Sequence, residues 1–104
     1  MGSLNSTVVL GGAGDVLELV RGFSRGSEYR SFKVVEGSIT FTDVLDLLIG
    51  SGYKLKDIRR FNIGGEHGFD MVFDIGGGKV CDITAYVGSG GSVYRVGVIC
   101  MSLR

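Results

Sequence analysis

The amino-acid sequence predicts a single α+β domain, in which a mixed sheet of four to five strands packs on one main helix. Three observations lead to this class. Short segments rich in β-branched and aromatic residues recur between glycine turns, as in a strand-rich fold. One segment has the apolar spacing of a helix. The chain has 104 residues, of which 44% are hydrophobic and 21% charged, and this is sufficient for one compact globular domain.

The N-terminal part of the chain predicts a tail followed by two strands. We assign residues 1–14 to a flexible segment and residues 15–104 to the domain, with Val8–Leu10 as either a short strand or a continuation of the tail. The apolar Val16–Gly22, VLELVRG, and the β-branched and aromatic Tyr29–Glu36, YRSFKVVE, both predict strands. The polar sequence SRGSE between them has the composition of a turn, so we expect a hairpin.

A change of apolar period marks the main helix at residues 41–49, FTDVLDLLI. Thr40 or Thr42 is a suitable N-cap, Asp43 favours the helix dipole, and Gly50 ends the helix. The apolar residues expected on one face are Val44, Leu45, Leu48 and Ile49.

The C-terminal half predicts a series of strands joined by glycine turns. Lys56–Ile63 and Phe69–Ile75 have strand composition, and the second alternates apolar and polar residues. Val80–Val87 is either a short helix or a strand. Val93–Met101 is a long apolar segment, which predicts a strand in the centre of the sheet. The sequence GGGK after Ile75 predicts a hairpin turn.

The order of these elements, a hairpin followed by a helix and a returning sheet, is similar to that of the ubiquitin-like β-grasp fold. The segment SFKVVEGSITFTDVLDLLIGSGY resembles the second strand and helix of PB1-like domains, and VCDITAYVGSGGSVYRVGV resembles their C-terminal part. Similar segments are found at the N-termini of plant Mutator-type transposase-related proteins. The resemblance covers roughly residues 15–101 and contains no invariant motif.

The PB1-like resemblance implies a non-catalytic protein–protein interaction module that pairs front to back with a protein partner or with itself. The sequence departs from the family after Asp74, where IGGGK replaces a dense acidic run and Lys79 has the opposite charge. A solvated surface is the alternative explanation of these charges. The partner-binding candidates are the basic residues Arg21, Arg25, Arg30 and Lys33 and the acidic residues Asp70, Asp74 and Asp82.

Two other binding modes are consistent with the residues. Basic residues interleaved with Tyr53 and Phe61 indicate a small nucleic-acid-binding domain, although the formal net charge of +0 opposes strong non-specific binding. A polar strand edge is the alternative for this cluster. If Phe69–Ile75 or Val93–Met101 lies at a sheet edge, it is expected to dimerise or to accept a partner strand. The candidate nucleic-acid residues are Lys54, Lys56, Arg59 and Arg60.

Catalytic motifs are incomplete, and we expect neither an enzyme nor a cofactor or metal. Gly12 and Gly14 match two glycines of a dinucleotide-binding turn, but Leu17 occupies the position of the third. His67 is the single histidine, and we expect it to be exposed in a glycine turn; the alternative is a general base oriented by Glu66 beside it.

The two cysteines and the N-terminus bear on localisation. Cys81 and Cys100 fit neither a disulfide framework nor a zinc motif, so we predict two small buried thiols in a reducing, cytoplasmic or nuclear compartment. The sequence MGSLNS matches an N-myristoylation signal at Gly2, and without that modification no membrane contact is expected.

Overall fold

The computed structural model of the chain describes residues 9–10, 12–23, 28–35 and 39–103. These residues form an α+β domain, as the sequence predicts, but they contain six strands and two helices instead of the predicted four to five strands and one main helix. No helix among them is long and apolar enough to cross a lipid bilayer. In chain order the elements are β1 (Val9–Leu10), α1 (Ala13–Phe23), β2 (Glu28–Val35), α2 (Phe41–Gly50), β3 (Lys54–Ile63), β4 (Glu66–Gly76), β5 (Lys79–Val87) and β6 (Val93–Ser102).

The strands form one mixed sheet in the order β1-β2-β6-β5-β4-β3. β1 is parallel to β2, and every other pair is antiparallel. β6 lies between β2 and β5, which confirms the central position predicted for Val93–Met101. β3, β4, β5 and β6 follow one another both in sequence and in space, so this half of the sheet is an antiparallel meander that ends at β3.

The predicted hairpin at the start of the domain is wrong, because its first strand is a helix. Val16–Gly22 lies inside α1, with Asp15 in the first turn and Arg21 in the last, where each charge suits the helix dipole. Val16, Leu17 and Val20 are buried on one side of α1. The second strand of that hairpin, predicted at Tyr29–Glu36, is β2, and it pairs with β6 instead.

The N-terminal boundary also differs from the prediction. β1 and the first two residues of α1 lie within residues 1–14, which the sequence assigns to a flexible segment. β1 pairs with the C-terminal end of β2, with Val9 opposite Val34 and Leu10 opposite Val35. The short strand considered at Val8–Leu10 is therefore present at Val9–Leu10.

Helix α2 forms where the sequence predicts it. Thr40 is the N-cap: its side chain accepts from the backbone N–H of Asp43 at 3.2 Å, and the Asp43 carboxylate accepts from the backbone N–H of Thr40 at 2.9 Å. This reciprocal capping box satisfies two helix-end donors. Val44 and Leu48 are buried, whereas Ile49 is 48% exposed and does not join the apolar face as predicted.

Both helices pack against the same face of the sheet, and the core lies between them and the strands. Met71 and Phe73 of β4 are fully buried there, which confirms the predicted alternation of that strand. The rest of the core comes from α1, α2, β5, β6 and the residue that precedes α2, namely Val16, Leu17, Val20, Ile39, Val44, Leu48, Cys81, Ile83, Ala85, Val93, Val96, Val98 and Cys100.

The two cysteines are buried as predicted, but they are not free thiols. Cys81 of β5 and Cys100 of β6 are directly opposite each other in the sheet and form a disulfide with Cα atoms 3.9 Å apart. Disulfides persist in oxidising environments, so the bridge corrects the expectation of two reduced cysteines. It links neighbouring strands on the side of the sheet that faces the helices.

The ambiguous segment Val80–Val87 is a strand rather than a helix. It lies within β5, where Cys81, Ile83 and Ala85 are buried and the residues between them are partly exposed. The turn before it contains Gly77 and Gly78 with φ of 65° and 76°, backbone angles that favour glycine. The sequence FDIGGGK therefore forms a hairpin turn between β4 and β5.

Candidate functional site

The face of the sheet that points away from both helices carries most of the sheet's polar and aromatic groups; we call it the open face. Because side chains alternate along a strand, it is made by the residues between the core positions. Its members from β3 to β6 include Asp57, Arg59, Phe61, Glu66, Asp70, Val72, Asp74, Asp82, Thr84, Tyr86, Arg95 and Ile99.

An aromatic row crosses the open face from β3 to β6. Phe61 is opposite Gly68, Gly68 is opposite Tyr86, and Tyr86 is opposite Arg95. The Phe61 and Tyr86 rings meet edge to face with centroids 5.5 Å apart. Gly68 lies in the row between them, and a Cβ there would overlap the backbone carbonyl of Ala85. The glycine is thus needed for the close approach of β4 and β5.

The cationic side chain of Arg95 lies at the β6 end of this row. The guanidinium of Arg95 is 4.0 Å from the centroid of the Tyr86 ring, within cation–π range. Arg95 also donates to the Glu66 carboxylate at 3.3 Å, and the hydroxyl of Tyr94 donates to the same carboxylate at 3.3 Å. Glu66 therefore binds β6, and His67 beside it is exposed, in agreement with the first of the two expectations for this histidine.

Two carboxyl groups face each other next to the aromatic row. Asp70 of β4 accepts from the Thr84 hydroxyl at 3.1 Å. The Oδ1 atom of Asp82 is buried without a hydrogen-bond partner among the described residues. Burial, together with a hydrogen bond to Asp70 and the charge of Asp70, raises the pKa of Asp82 to about 7. Asp82 thus holds a proton below neutral pH.

β3 is the free edge of the antiparallel meander, and it is mostly exposed. Among the described residues the strand pairs with β4 alone, so that within this part of the chain one row of its backbone donors and acceptors faces outward. The register shifts between Leu55 and Asp57, which leaves Lys56 as the extra residue of a bulge. Arg59 donates to Asp57 at 2.9 Å, whereas Arg60 makes no ion pair with any described residue.

Two surface cavities lie at the C-terminal half of β3, and Arg60 and Phe61 line both. The larger, of about 450 Å³, is on the open face and includes Glu66, Asp70 and Tyr86 among its lining residues. The smaller, of about 380 Å³, is completed by Asn62 and His67. The part of β3 beyond the bulge therefore has depressions next to it that can receive side chains.

The basic residues predicted to bind a partner lie on different elements. Arg21 lies on α1, where it forms an exposed ion pair with Glu18 at 3.2 Å. Arg30 and Lys33 lie on β2, opposite Ile99 and Val96 of β6. Arg25 and Gly2 are outside the described residues.

The other predicted site residues are grouped more closely. Asp70 and Asp82 contact each other on the open face. Asp74 lies further along β4, where it accepts from the backbone N–H of Gly76 at 2.9 Å and is opposite Lys54. All four nucleic-acid candidates, Lys54, Lys56, Arg59 and Arg60, are exposed on β3.

The sequence analysis missed Tyr86, Tyr94 and Arg95 as part of the site. The period of two in the segment containing Cys81, Ile83 and Ala85 was the available signal that Tyr86 points away from the core. For Arg95 no local signal exists, because its contact with Tyr86 depends on the register between β5 and β6.

The described residues contain no group of three or more His, Cys, Asp or Glu side chains able to hold a metal ion. No family model matches the chain, and the searches of curated proteins and of solved structures also give no match. The functional argument therefore rests on the geometry of the open face and of β3.

Proposed function

We propose that this domain is a non-catalytic protein–protein interaction module that binds its partner through β3 and the adjoining open face. The observation that carries the proposal is the exposed, unpaired edge of β3 next to a surface of mixed chemistry. Phe61 and Tyr86 offer aromatic contact area, and Arg60 adds an exposed cation on β3 itself that forms no ion pair with any described residue. Aromatic residues and arginine are the types enriched at protein interfaces.

The balance of charge on this surface supports a protein partner. The cations of β3 are accompanied by the carboxylates of Asp57, Glu66 and Asp70, so the surface presents charges of both signs. Mixed charges around aromatic contacts suit a protein surface, which also presents both signs.

The experiment compares proteins captured from a cell extract by the immobilised full chain and by two charge-reversal variants. Arg60→Glu changes the proposed surface, and Arg21→Glu makes the same change in charge on α1. We expect a set of proteins retained by the wild type and by Arg21→Glu but reduced at least about tenfold by Arg60→Glu, as for loss of a central interface contact. Equal recovery by all three chains contradicts the proposed surface.

The same pair of variants tests the PB1-like, front-to-back mode. Support for a β-grasp, PB1-like relationship comes from a strand followed directly by a capped helix, β2 and α2, and from a closing strand in the centre of the sheet. The helix α1 in place of a first strand departs from that fold. Loss of captured proteins with Arg21→Glu alone would favour the front-to-back surface over β3.

Single-stranded nucleic acid is the second candidate, because Phe61 and Tyr86 are adjacent beside the cations of β3. Sheet aromatics with flanking cations can stack bases and bind phosphates. The carboxylates of Glu66, Asp70 and Asp82 on the same surface oppose a polyanion. Fluorescence anisotropy with single-stranded and duplex oligonucleotides at low salt tests this candidate, and an unchanged signal excludes it.

A further inference from the structure

The bulge divides β3 into two parts with different prospects for pairing. Lys54 and Leu55 precede it, and Lys56 is the extra residue, so a strand added there would meet an irregular edge and two lysines, features that discourage edge pairing. From Asp57 to Ile63 the register with β4 is continuous. This continuous part presents a regular row of backbone groups.

We propose that an extended, acidic segment of a partner protein adds to the Asp57–Ile63 edge as a further strand of the sheet. The inference rests on the proposed function and names the partner chemistry and the geometry of binding. The backbone of the incoming segment pairs with the outward groups of β3, which provides affinity, while its side chains provide specificity.

The arrangement of charge on this edge determines the acidic character of the partner. Arg59 and Arg60 are consecutive and therefore on opposite faces of the sheet. The residues opposite them on an added strand are also consecutive, so a segment with two adjacent acidic residues places one carboxylate beside each arginine. The new ion pair should be stronger at Arg60 than at Arg59, because Arg59 already has Asp57 as a partner.

A second copy of the chain fits this edge less well than an acidic segment. Antiparallel pairing of two β3 strands with full overlap of Asp57–Ile63 is centred on Arg60, which then faces Arg60 of the other copy. A slip of two residues toward the bulge places Arg59 against Arg59. Directly opposed like charges destabilise strand pairs. The edge should therefore pair more stably with a strand from another protein than with β3 of a second copy.

The two cavities on either side of this part of β3 support the same occupant. Since Arg60 and Phe61 line both, side chains on either face of an added strand have a depression within reach. His67 and Asn62 add hydrogen-bonding groups on one side, and Tyr86 adds an aromatic wall on the other.

The test uses a short synthetic peptide of alternating valine and threonine with a central Glu-Asp pair, titrated into the full-length chain and followed by calorimetry and amide hydrogen exchange. We expect slower exchange at Asp57–Ile63 on binding. Arg60→Glu should weaken binding about tenfold, whereas the matched control Lys54→Glu, an equal change in charge before the bulge, should weaken it less than about threefold.

Two altered peptides separate strand addition from simple charge attraction. Replacing Glu-Asp by Gln-Asn should weaken binding about fivefold to tenfold. N-methylation of alternate peptide amides, in the phase that faces β3, should abolish binding, because it removes the donors needed for pairing. Equal binding of the N-methylated peptide, or equal loss with both protein variants, would overturn strand addition.

Failure of strand addition can be distinguished from failure of the proposed function itself. If extract proteins depend on Arg60 but the acidic peptide does not bind, the interaction module stands and the acidic strand is wrong. If light scattering shows the wild-type chain to be a dimer that Arg60→Glu does not affect, pairing of two copies elsewhere replaces the inference. Binding of an oligonucleotide in competition with the peptide would also overturn it.

Discussion

The two faces of the sheet are built from neighbouring residues of the same strands, yet they contain different chemistry. On β5, Cys81, Ile83 and Ala85 point toward the helices and are fully buried. The intervening Asp82, Thr84 and Tyr86 point to the open face and are partly exposed. Packing and a disulfide stabilise the helix side, whereas on the open face one carboxyl oxygen of Asp82 is buried without a partner among the described residues. The residue that costs stability thus lies on the face where we propose binding.

The largest expected loss of stability comes from a substitution on the helix side of β4. Phe73→Ala removes a fully buried ring and should lower the free energy of unfolding by about 3–5 kcal/mol. The matched control is Val72→Ala, the adjacent residue on the open face, which should cost about 1 kcal/mol because Val72 is only partly buried. Urea denaturation measures both, and similar losses would contradict the division of roles between the faces.

The disulfide gives the next largest effect. It closes a loop between cysteines that are 19 positions apart in sequence, so replacing both by alanine should lower the free energy of unfolding by about 3 kcal/mol. Reducing agent should lower the unfolding midpoint of the wild type and leave that of the double variant unchanged. If the reductant has no effect on the wild type, the cysteines are thiols in solution, as the sequence analysis expected.

Much of the fold can be predicted because its signals are local. The capping box of Thr40 and Asp43, the apolar spacing after it and the glycines that end it all lie within α2. The period of two in β4 similarly identifies Met71 and Phe73 as core residues. In each case the residues that carry the signal are neighbours in sequence, so no knowledge of the sheet is required.

The wrong predictions arise where a local pattern fits two kinds of secondary structure, or where a contact depends on the register between neighbouring strands. VLELVRG is short and apolar, and it forms a helix because Val16 and Val20 share one side of α1 with Leu17; the i, i+4 spacing was the overlooked signal. The disulfide and the contact between Phe61 and Tyr86 depend on which residues of neighbouring strands are opposite each other. This alignment is set by the turns and bulges between consecutive strands, such as the register shifts after Asp74 and after Tyr86, and these irregularities have no clear signature in the sequence.

The open face should make stability depend on pH. The pKa of Asp82 rises from 3.8 to about 7 on folding, so between these values the folded chain holds a proton that the unfolded chain has lost. The free energy of unfolding should therefore fall as pH rises from about 4 to about 7 and then level off.

Asp82→Asn should remove this dependence. Because the group is partly exposed, we expect a gain in the free energy of unfolding on the order of 2 kcal/mol at pH 8 and little change at pH 4. The control is Asp74→Asn, on the same face but bonded to a turn amide, which should leave the slope intact. Denaturation at several pH values tests this, and an equal slope in wild type and Asp82→Asn would contradict the role of Asp82.

The smallest effect concerns self-pairing at the β3 edge. If opposed Arg60 side chains discourage association, the wild type should be monomeric by light scattering, and Arg60→Thr should strengthen dimerisation by about twofold to fivefold. An equimolar mixture of the wild type and Arg60→Glu should associate better than either chain alone, because an arginine then faces a glutamate. Lys54→Glu provides the control with the same charge. A mixture that associates only as strongly as the average of its two components would show that charge on this edge does not select the partner. The bulge alone would then limit pairing of the open backbone of β3 with another strand.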